Sequence, residues 1–315
     1  MITYAESTGF GDCGSLGGES YAGSKDSVDT GGGDCGSPGT LVSPALNMLP
    51  PPIAADYDLE RQQRLNTLDP DETDEEELAK IETLRQHVYG ALGITSADEV
   101  PEDLFPLFGK SSLVRFGRAK RWKYKRATKM FVEMLCWYRS YDLPRQMRQW
   151  ENVDSESHVG RVFQKYMPIG TFGTDKRGAP VFYSLPDVRE IGFEAYERGS
   201  LYLIHKTVRS IEDVSLERGR HLLHANVVFD MQDVSWVRLI ANLKPFARHV
   251  KTQDDNMPER LYTCLVIRAP LVFTAAWKLL KPLLATETVD KVSILGRRAG
   301  PTALGGPSPW APGWS

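Results

Sequence analysis

The 315-residue sequence predicts an α/β fold, a mostly parallel sheet with flanking helices preceded by a small helical lobe. After residue 155, short apolar runs typical of buried strands alternate with segments of helical periodicity, whereas the pattern before that point is helical only. A hydrophobic content of 41% and a charged content of 25% are typical of a globular protein. The formal net charge of −3 argues against a wholesale nucleic-acid binder.

The first 55 residues are predicted to form a disordered tail, because they are rich in Gly, Ser and Pro and have few large apolar side chains. No run approaches the ~18 consecutive apolar residues of a membrane-spanning helix, and no secretory leader is recognisable. The cysteines are far apart and form no CxxC pair; they are Cys13, Cys35, Cys136 and Cys264. We therefore expect a cytoplasmic protein.

Residues 56–145 are predicted to form the helical lobe. An acidic run from Asp69 leads into apolar residues at helical spacing, so that its carboxylates lie near the positive end of a helix. These apolar residues are Leu78, Ile81, Leu84 and Val88. After a turn that contains Pro101 and Pro106, a second helical pattern runs from Ser111 to Tyr138.

A dense basic run lies within the second helical pattern. Eight of the fifteen residues from Arg115 to Lys129 are basic and none is acidic. With its interleaved aromatic residues, the run suits nucleic-acid binding, and it equally suits an anionic membrane surface at ~1 kcal/mol per basic residue near the bilayer. The third interpretation is a solvated helix face. The run alone leaves all three interpretations open.

Residues 155–297 are predicted to form the sheet domain. Two β-prone runs, separated by a Gly- and Pro-containing turn, predict a hairpin, and strands then alternate with helices. This alternation implies parallel strands with helical crossovers. The predicted strands are 159–166, 181–185, 227–229, 264–267 and 292–295, and the predicted helices contain 204–211, 239–250 and 271–284. Residues 298–315 have no periodicity and are predicted to be an unstructured tail.

The helix predicted at 271–284 carries an apolar stripe. Phe273, Trp277, Leu280 and Leu284 share one helical face, which in most proteins simply packs on a core. Pro282 removes a backbone hydrogen bond and predicts a kink, so the helix also suits a movable lid.

The polar turn after this helix is a candidate phosphate site. Thr288 and Lys291 are three residues apart, so their hydroxyl and ammonium groups can converge on one phosphate if the backbone turns between them. On its own, this spacing is a weak signal.

No sequence motif indicates an enzyme. The chain has no GxSxG elbow, no Walker loop, no HExxH and no cluster of Cys and His. Its histidines scatter over helices and a loop, and we expect them to be structural or exposed; those considered are His205, His221, His224 and His249. We expect no catalytic residue, no metal and no cofactor.

Six motifs in this order resemble the CRAL-TRIO family, over about residues 75 to 296. They are Leu113–Trp122, Asp175–Tyr183, Val227–Asp230, Met257–Leu261, Ala269–Pro270 with Phe273 and Lys281–Pro282, and Thr288 with Lys291 and Ile294–Gly296. The resemblance implies a sheet that floors a lipid cavity and a gate helix at 271–284 that closes it. The implied gate and pocket residues are Phe182, Phe273, Trp277, Leu280 and Leu284.

The resemblance also implies a site for the headgroup of phosphatidylinositol. Its residues are Lys120, Arg121, Glu259, Thr288 and Lys291. Cations and a hydroxyl suit the phosphate, and a carboxylate accepts from ring hydroxyls. We expect a monomer that exchanges its lipid at a transiently contacted membrane and binds no nucleic acid. The alternative is a membrane-associated signalling or trafficking adaptor whose pocket is non-functional or takes a sterol, retinoid or tocopherol.

Three positions depart from the family pattern. Ala225 and Val227 stand where members that bind phosphatidylcholine place hydroxyl side chains, so binding of that lipid is not expected. Gly117 replaces an apolar residue and is expected to weaken its helix by up to ~1 kcal/mol relative to Ala. After Gly296 the usual C-terminal element of the family is expected to be lost or replaced.

Overall fold

Two halves of different construction follow one another along the described part of the chain, helices alone from residue 45 to residue 152 and then a sheet with helices. The computed structural model describes residues 45–152, 161, 170–175, 179–184, 192–231, 236–269, 271–284 and 286–296. The predicted tails, as far as residue 44 and at 298–315, lie outside the described residues. The order of elements confirms the predicted α/β class with its helical lobe.

The helices of the lobe begin at capping residues that the sequence supplies. The Asp58 carboxylate accepts from the backbone N–H of Arg61, and the Asp74 carboxylate accepts from that of Glu77, which satisfies donors that a first helical turn leaves open. The α-helices are α1 Ala45–Met48, α2 Leu59–Thr67, α3 Glu75–Leu92, α4 Lys110–Ala119, α5 Tyr124–Tyr141 and α6 Leu143–Glu151. Short 3-10 helices lie at Ala97–Glu99 and Glu102–Phe108.

Aromatic rings fill the lobe core. The Phe131 ring lies edge-on to Phe108, at a centroid distance of 5.4 Å, and to Phe116, at 5.0 Å. In this geometry the positive edge of one ring meets the negative face of another, which adds ~0.5–1.5 kcal/mol per pair to the gain from burial. The lobe therefore has a tightly packed core of its own.

A buried ion pair attaches the segment before α2 to this core. Arg139 and Asp103 are each 4% exposed, and two guanidinium nitrogens donate to the two carboxylate oxygens at 2.8 and 2.9 Å. Arg139 also donates to the Pro50 carbonyl at 3.0 Å, and the Ile53 N–H donates to Asp103 at 3.4 Å. Leu49 is buried in the same core. The lobe therefore begins before residue 56, the predicted boundary of the tail.

The segment predicted to be helical, Ser111 to Tyr138, is helical, but a tight turn divides it into α4 and α5. The Arg121 N–H donates to the Arg118 carbonyl at 2.9 Å, and the Trp122 N–H donates to the Gly117 carbonyl at 2.8 Å, which is the Schellman pattern of a helix end. Arg121 has φ 50° and Trp122 has φ 57°. Glycine usually occupies such left-handed positions. Because Arg121 and Trp122 occupy them here, no Gly or Pro in the sequence marks the break between the two helices.

Gly117 is required by packing, which corrects the expectation that it merely weakens α4. A Cβ atom at this position would lie 2.4 Å from the nearest atom of the Trp122 ring. The ring therefore packs directly against the backbone of α4, in the contact that often accompanies a Schellman turn.

The second half is a five-stranded sheet in the order β1-β2-β3-β4-β5. The edge strand β1 runs antiparallel to β2, and the remaining neighbours are parallel, as predicted. The strands are β1 Gly170–Thr174, β2 Pro180–Ser184, β3 Ala225–Asp230, β4 Leu261–Ala269 and β5 Val292–Gly296. The helices are α7 Gly192–Arg218, α8 Trp236–Asn256, α9 Leu271–Leu280 and α10 Thr286–Asp290, with a 3-10 helix at Lys281–Leu283.

The hairpin forms later in the chain than predicted. The strand that pairs with β2 is Gly170–Thr174, whereas the predicted range 159–166 lies outside the described residues apart from Arg161, which is helical. Asp175 closes the hairpin, because its carboxylate accepts from the Ala179 N–H at 2.9 Å and from the Asn226 side chain at 2.9 Å. The turn is thereby linked to β3.

The lobe and the sheet half meet at the loop that precedes β3. The His221 N–H donates to the Asp69 carbonyl at 2.9 Å, and the Asp71 N–H donates to the His221 carbonyl at 2.8 Å. Leu223, two residues further on, is buried within the lobe core. Among the described residues, none of the helices combines the length and apolar character that crossing a membrane requires.

Candidate functional site

Glu259 and Lys291 lie together at the end of the sheet where β4 and β5 begin. Each precedes one of the adjacent parallel strands β4 and β5, so the parallel pairing brings them side by side. The Lys291 Nζ lies 2.8 Å from the Glu259 Oε2, and both side chains are largely buried. The Lys291 carbonyl accepts from the Cys264 N–H at 2.8 Å, which fixes the backbone.

Glu259 has a strained backbone. Its φ of 54° lies in the left-handed region, which costs a non-glycine residue about 1–3 kcal/mol. Such strain is common at ligand sites, where the surrounding structure holds a side chain in a required direction. The strain at Glu259 thus coincides with its pairing to Lys291.

Thr288 lies on the short helix α10, just before Lys291. Its hydroxyl donates to the Asp254 carboxylate on α8 at 3.1 Å. The Thr288 carbonyl accepts from the Lys291 N–H at 3.2 Å, so the backbone turns between them as their spacing requires. Asp254 is a contact that the sequence did not predict.

The lobe contributes two cations to the same surface. Arg121 lies 3.3 Å from Glu287 of α10, and both side chains are exposed. A hydrogen bond from its own backbone N–H lowers the pKa of the Glu287 carboxyl, and the charges of Arg121 and Lys120 lower it further. The turn between α4 and α5 therefore brings Lys120 and Arg121 close to α10.

The five predicted headgroup residues thus surround α10, and several of them contact carboxylates. Lys291 pairs with Glu259, Thr288 with Asp254, and Arg121 with Glu287. The cations and the hydroxyl are donors suited to a phosphate, and the carboxylates are acceptors suited to hydroxyl groups. The surface can therefore recognise a ligand that carries both groups.

Helix α9, which precedes α10 in the chain, buries one apolar face. Phe273 and Leu280 are buried, and Phe273 packs with Cys264, Val266 and Ala269 of β4. The half-buried Trp277 stacks on Phe273 at a centroid distance of 6.5 Å. The predicted stripe therefore packs on the sheet.

The outer face of α9 carries two exposed leucines beside Lys278, and the stripe did not predict these leucines. Leu271 is 93% exposed and Leu279 is 61% exposed. Pro282 does not kink a longer helix as predicted, because α9 ends at Leu280 and Pro282 lies in the 3-10 helix that follows. Leu284 therefore falls beyond α9 and is half-buried.

Phe182, the remaining predicted pocket residue, lies on β2, where its backbone is paired with Val227 of β3. Its side chain lies outside the described part of the structure. The two departures on β3 are better defined, since Ala225 is buried and Val227 is half-buried.

The basic run of α4 and α5 serves several purposes. Arg118 donates to Glu77 at 2.6 and 2.8 Å, so its charge is engaged within the lobe. Arg115 is buried, and its burial, followed by the charge of Arg260, lowers the pKa of its guanidinium. Burial likewise lowers the pKa of Arg260 to about 10, while Glu212 opposes that shift. Arg115 and Arg118 are therefore structural, and the remaining cations of the run lie nearer the surface.

Several known proteins resemble this chain in sequence or in structure. Residues 164–301 match the CRAL/TRIO domain family. A CRAL-TRIO domain-containing protein of Schizosaccharomyces pombe is 31% identical over 216 residues, which cover 63% of this chain and 46% of the relative. The phosphatidylinositol/phosphatidylcholine transfer protein SFH9 of Arabidopsis thaliana is 24% identical over 198 residues, which cover 59% of this chain and 33% of the relative. The crystal structure of Sfh5 aligns with a TM-score of 0.46 at 17% identity, over 57% of this chain and 63% of that chain.

The five-stranded sheet and its flanking helices, which fall within or next to the residues that match, form an α/β domain. This chain carries a CRAL-TRIO domain, preceded by a helical lobe, as the order of its motifs predicted. The chain spans between about a third and a half of the length of the two curated relatives.

Proposed function

We propose that this chain binds a phospholipid with an inositol headgroup and exchanges it at membranes. The observation that carries the proposal is the pairing of Lys291 with Glu259 beside Thr288. In this scheme, the Lys291 ammonium and the Thr288 hydroxyl donate to the phosphate, while the Glu259 carboxylate accepts from a ring hydroxyl. Arg121 and Lys120 close the site from the lobe.

Headgroup binding would exchange carboxylate partners for a phosphate. The contact between Arg121 and Glu287 is exposed, and such pairs contribute only about 0–1 kcal/mol. A phosphate offers more acceptor oxygens than a carboxylate and forms charge-assisted hydrogen bonds with cations. The exposed pair of Arg121 with Glu287 therefore holds this donor in place without preventing the exchange.

Helix α9 would act as the gate of the lipid cavity. Its buried face closes the site in water, while Leu271 and Leu279 offer an apolar surface to a bilayer. Each buried methylene group contributes about 0.8 kcal/mol, so a two-chain lipid has a prohibitive cost in free water. Exchange would therefore take place while α9 contacts a membrane.

The names of three relatives agree with this proposal. SFH9, SFH7 and SFH12 of Arabidopsis thaliana are phosphatidylinositol/phosphatidylcholine transfer proteins. For this chain we propose phosphatidylinositol alone, because Ala225 and Val227 offer no hydroxyl on β3.

The decisive experiment measures transfer of phosphatidylinositol between vesicles by the purified full chain, together with mass spectrometry of its bound lipid. We expect Lys291→Ala to lower the rate about tenfold, because a charge-assisted hydrogen bond to the phosphate is lost. The matched control is Lys281→Ala, which removes an exposed cation of the 3-10 helix and should transfer at the wild-type rate. Equal rates for the two variants, or no lipid bound to the wild type, would contradict the proposal.

A second candidate is an adaptor whose pocket takes a lipid without phosphate. The contacts of Lys291, Thr288 and Arg121 with carboxylates favour it, because these donors then need no anionic ligand. Recovery of a sterol, retinoid or tocopherol instead of phosphatidylinositol from the purified chain would establish this alternative.

A further inference from the structure

A basic cleft lies between the lobe and α8, next to the proposed headgroup site. Its volume is about 640 Å³, within the range of about 300–1,000 Å³ that is usual for small-molecule sites. The lobe contributes residues of α5 and of the preceding turn, and α8 contributes residues of its last turns. The charged side chains that line it are Lys120, Arg126, Lys129, Glu133, Lys251 and Asp255.

The cleft has an excess of positive charge, since four cations face two carboxylates. Lys129 lies 3.8 Å from Glu133, and Lys251 lies 2.7 Å from Asp255. Each pair joins exposed side chains four residues apart on its own helix, and such ion pairs contribute little to stability. An anion that binds Lys129 and Lys251 more strongly than Glu133 and Asp255 do can therefore displace both carboxylates.

Lys120 and Arg126 add further positive charge to the cleft, and the charge of Lys120 also lowers the pKa of the Glu287 carboxyl. Neither forms an ion pair within 4.0 Å in the part of the chain that the structure describes. They come from the lobe, whereas Lys251 comes from α8, so the cations converge from two sides of the cleft. An anion between them would bridge the lobe and the sheet half.

The uncharged residues that line the cleft indicate which class of ligand it suits. Met130 is the apolar side chain of the cleft and Asn256 is polar, and no aromatic ring is among the lining residues. Nucleobases are usually held by stacking on aromatic rings, so the lining does not favour a nucleotide. Lys and Arg side chains that are long and spaced apart suit a ligand with several phosphate groups on a hydroxylated ring.

We infer that this cleft is a second anion site, which binds a polyphosphorylated polyol such as an inositol polyphosphate. It differs from the headgroup site, because Arg126, Lys129 and Lys251 do not belong to the cluster around α10. The two sites are neighbours, since Lys120 lies in both and Asp255 follows Asp254, the partner of Thr288. The phosphates could belong to a soluble compound or to a lipid headgroup in a bilayer.

Binding of two probes to the full chain tests the site. Inositol hexakisphosphate is titrated by calorimetry. Phosphatidylcholine vesicles that contain phosphatidylinositol bisphosphate are compared with vesicles that contain phosphatidylserine at equal surface charge. The test variant is Arg126→Gln with Lys251→Gln, and the matched control is Lys123→Gln with Lys125→Gln. The control removes two exposed cations outside the lining.

We expect the test variant to bind inositol hexakisphosphate about tenfold or more weakly than the wild type, and the control to bind within about twofold. Preference of the wild type for bisphosphate vesicles would assign the site to a lipid headgroup. Binding of the soluble probe without that preference would assign it to a soluble ligand. Equal affinities of the two double variants, or no binding of either probe by the wild type, would overturn the inference.

Failure here is distinguishable from failure of the proposed lipid transfer. The test variant keeps Lys291, Thr288 and Glu259, so it should transfer phosphatidylinositol between neutral vesicles at the wild-type rate. All four substituted residues are exposed, so thermal unfolding should show the same midpoint for both double variants without ligand.

Discussion

The lobe core and helix α9 use apolar side chains in opposite ways. In the lobe, Phe131 is fully buried and packs edge-on against two other buried rings. In α9, Phe273 and Leu280 are buried, but Leu271 and Leu279 lie in solvent. The same kind of residue therefore stabilises the fold in the lobe, and in α9 it also forms a surface that a hydrophobic partner can cover.

The largest expected effect lies in the lobe. Phe131→Ala should lower the free energy of unfolding by about 3–5 kcal/mol, because the rigid core cannot collapse around the lost ring. Urea unfolding followed by circular dichroism measures the change. The control Leu59→Ala removes an exposed side chain of α2 and should change the free energy by less than about 0.5 kcal/mol. A loss below about 1 kcal/mol for Phe131→Ala would show that the lobe is not the rigid half.

Acid should destabilise the half of the chain that carries the sheet. Burial lowers the pKa of His249 to about 4, and burial together with the charge of Arg115 lowers the pKa of His221 to about 3. In the unfolded chain each histidine binds a proton near pH 6.5, so the unfolded state holds more protons between about pH 6.5 and about pH 4.

Stability should therefore fall as the pH falls through that window, by up to about 1.4 kcal/mol per pH unit for each histidine, and should not change from this cause above about pH 6.5. Urea unfolding at a series of pH values checks the slope. His221→Gln should make the slope shallower, whereas an unchanged slope would mean that His221 is not held neutral by the fold.

The smallest expected change in stability lies on the outer face of α9. Leu271→Ser with Leu279→Ser should alter the free energy of unfolding by less than about 1 kcal/mol, since both side chains already lie in solvent. Vesicle binding should weaken by about tenfold or more, because burial of a Leu side chain contributes about 1.5–3 kcal/mol. Met48→Ser is the matched control, an exposed apolar residue of α1 that should leave vesicle binding unchanged. If it weakens binding equally, the contrast between the two regions disappears.

Periodicity predicted most of the fold, because it reports which face of an element is buried. It predicted β3, β4 and β5 and the helices α8 and α9 between them, whereas α10 was predicted as a polar turn. It failed between α4 and α5, where Arg121 adopts a left-handed conformation that a sequence usually marks with glycine. It also could not show that Arg115 points into the core while its neighbours in the basic run lie nearer the surface.

The candidate site was predicted less completely than the fold. Motif order suggested Glu259 and Lys291, and the parallel pairing of β4 with β5 places them 2.8 Å apart. Asp254 and Glu287 were not predicted, because their contacts depend on how α8 and the lobe turn approach α10. Exposure of Leu271 was likewise hidden, since an apolar residue in a helix is usually assigned to the core.

Leu223 sets a practical limit on how the protein can be divided. The CRAL/TRIO match starts at residue 164, yet Leu223 fills part of the lobe core and the neighbouring His221 backbone bonds to Asp69 and Asp71. A fragment that begins at the match would expose Leu223 to water and leave these polar groups without partners. The lobe therefore packs directly against the half that carries the sheet, and both belong in one recombinant piece.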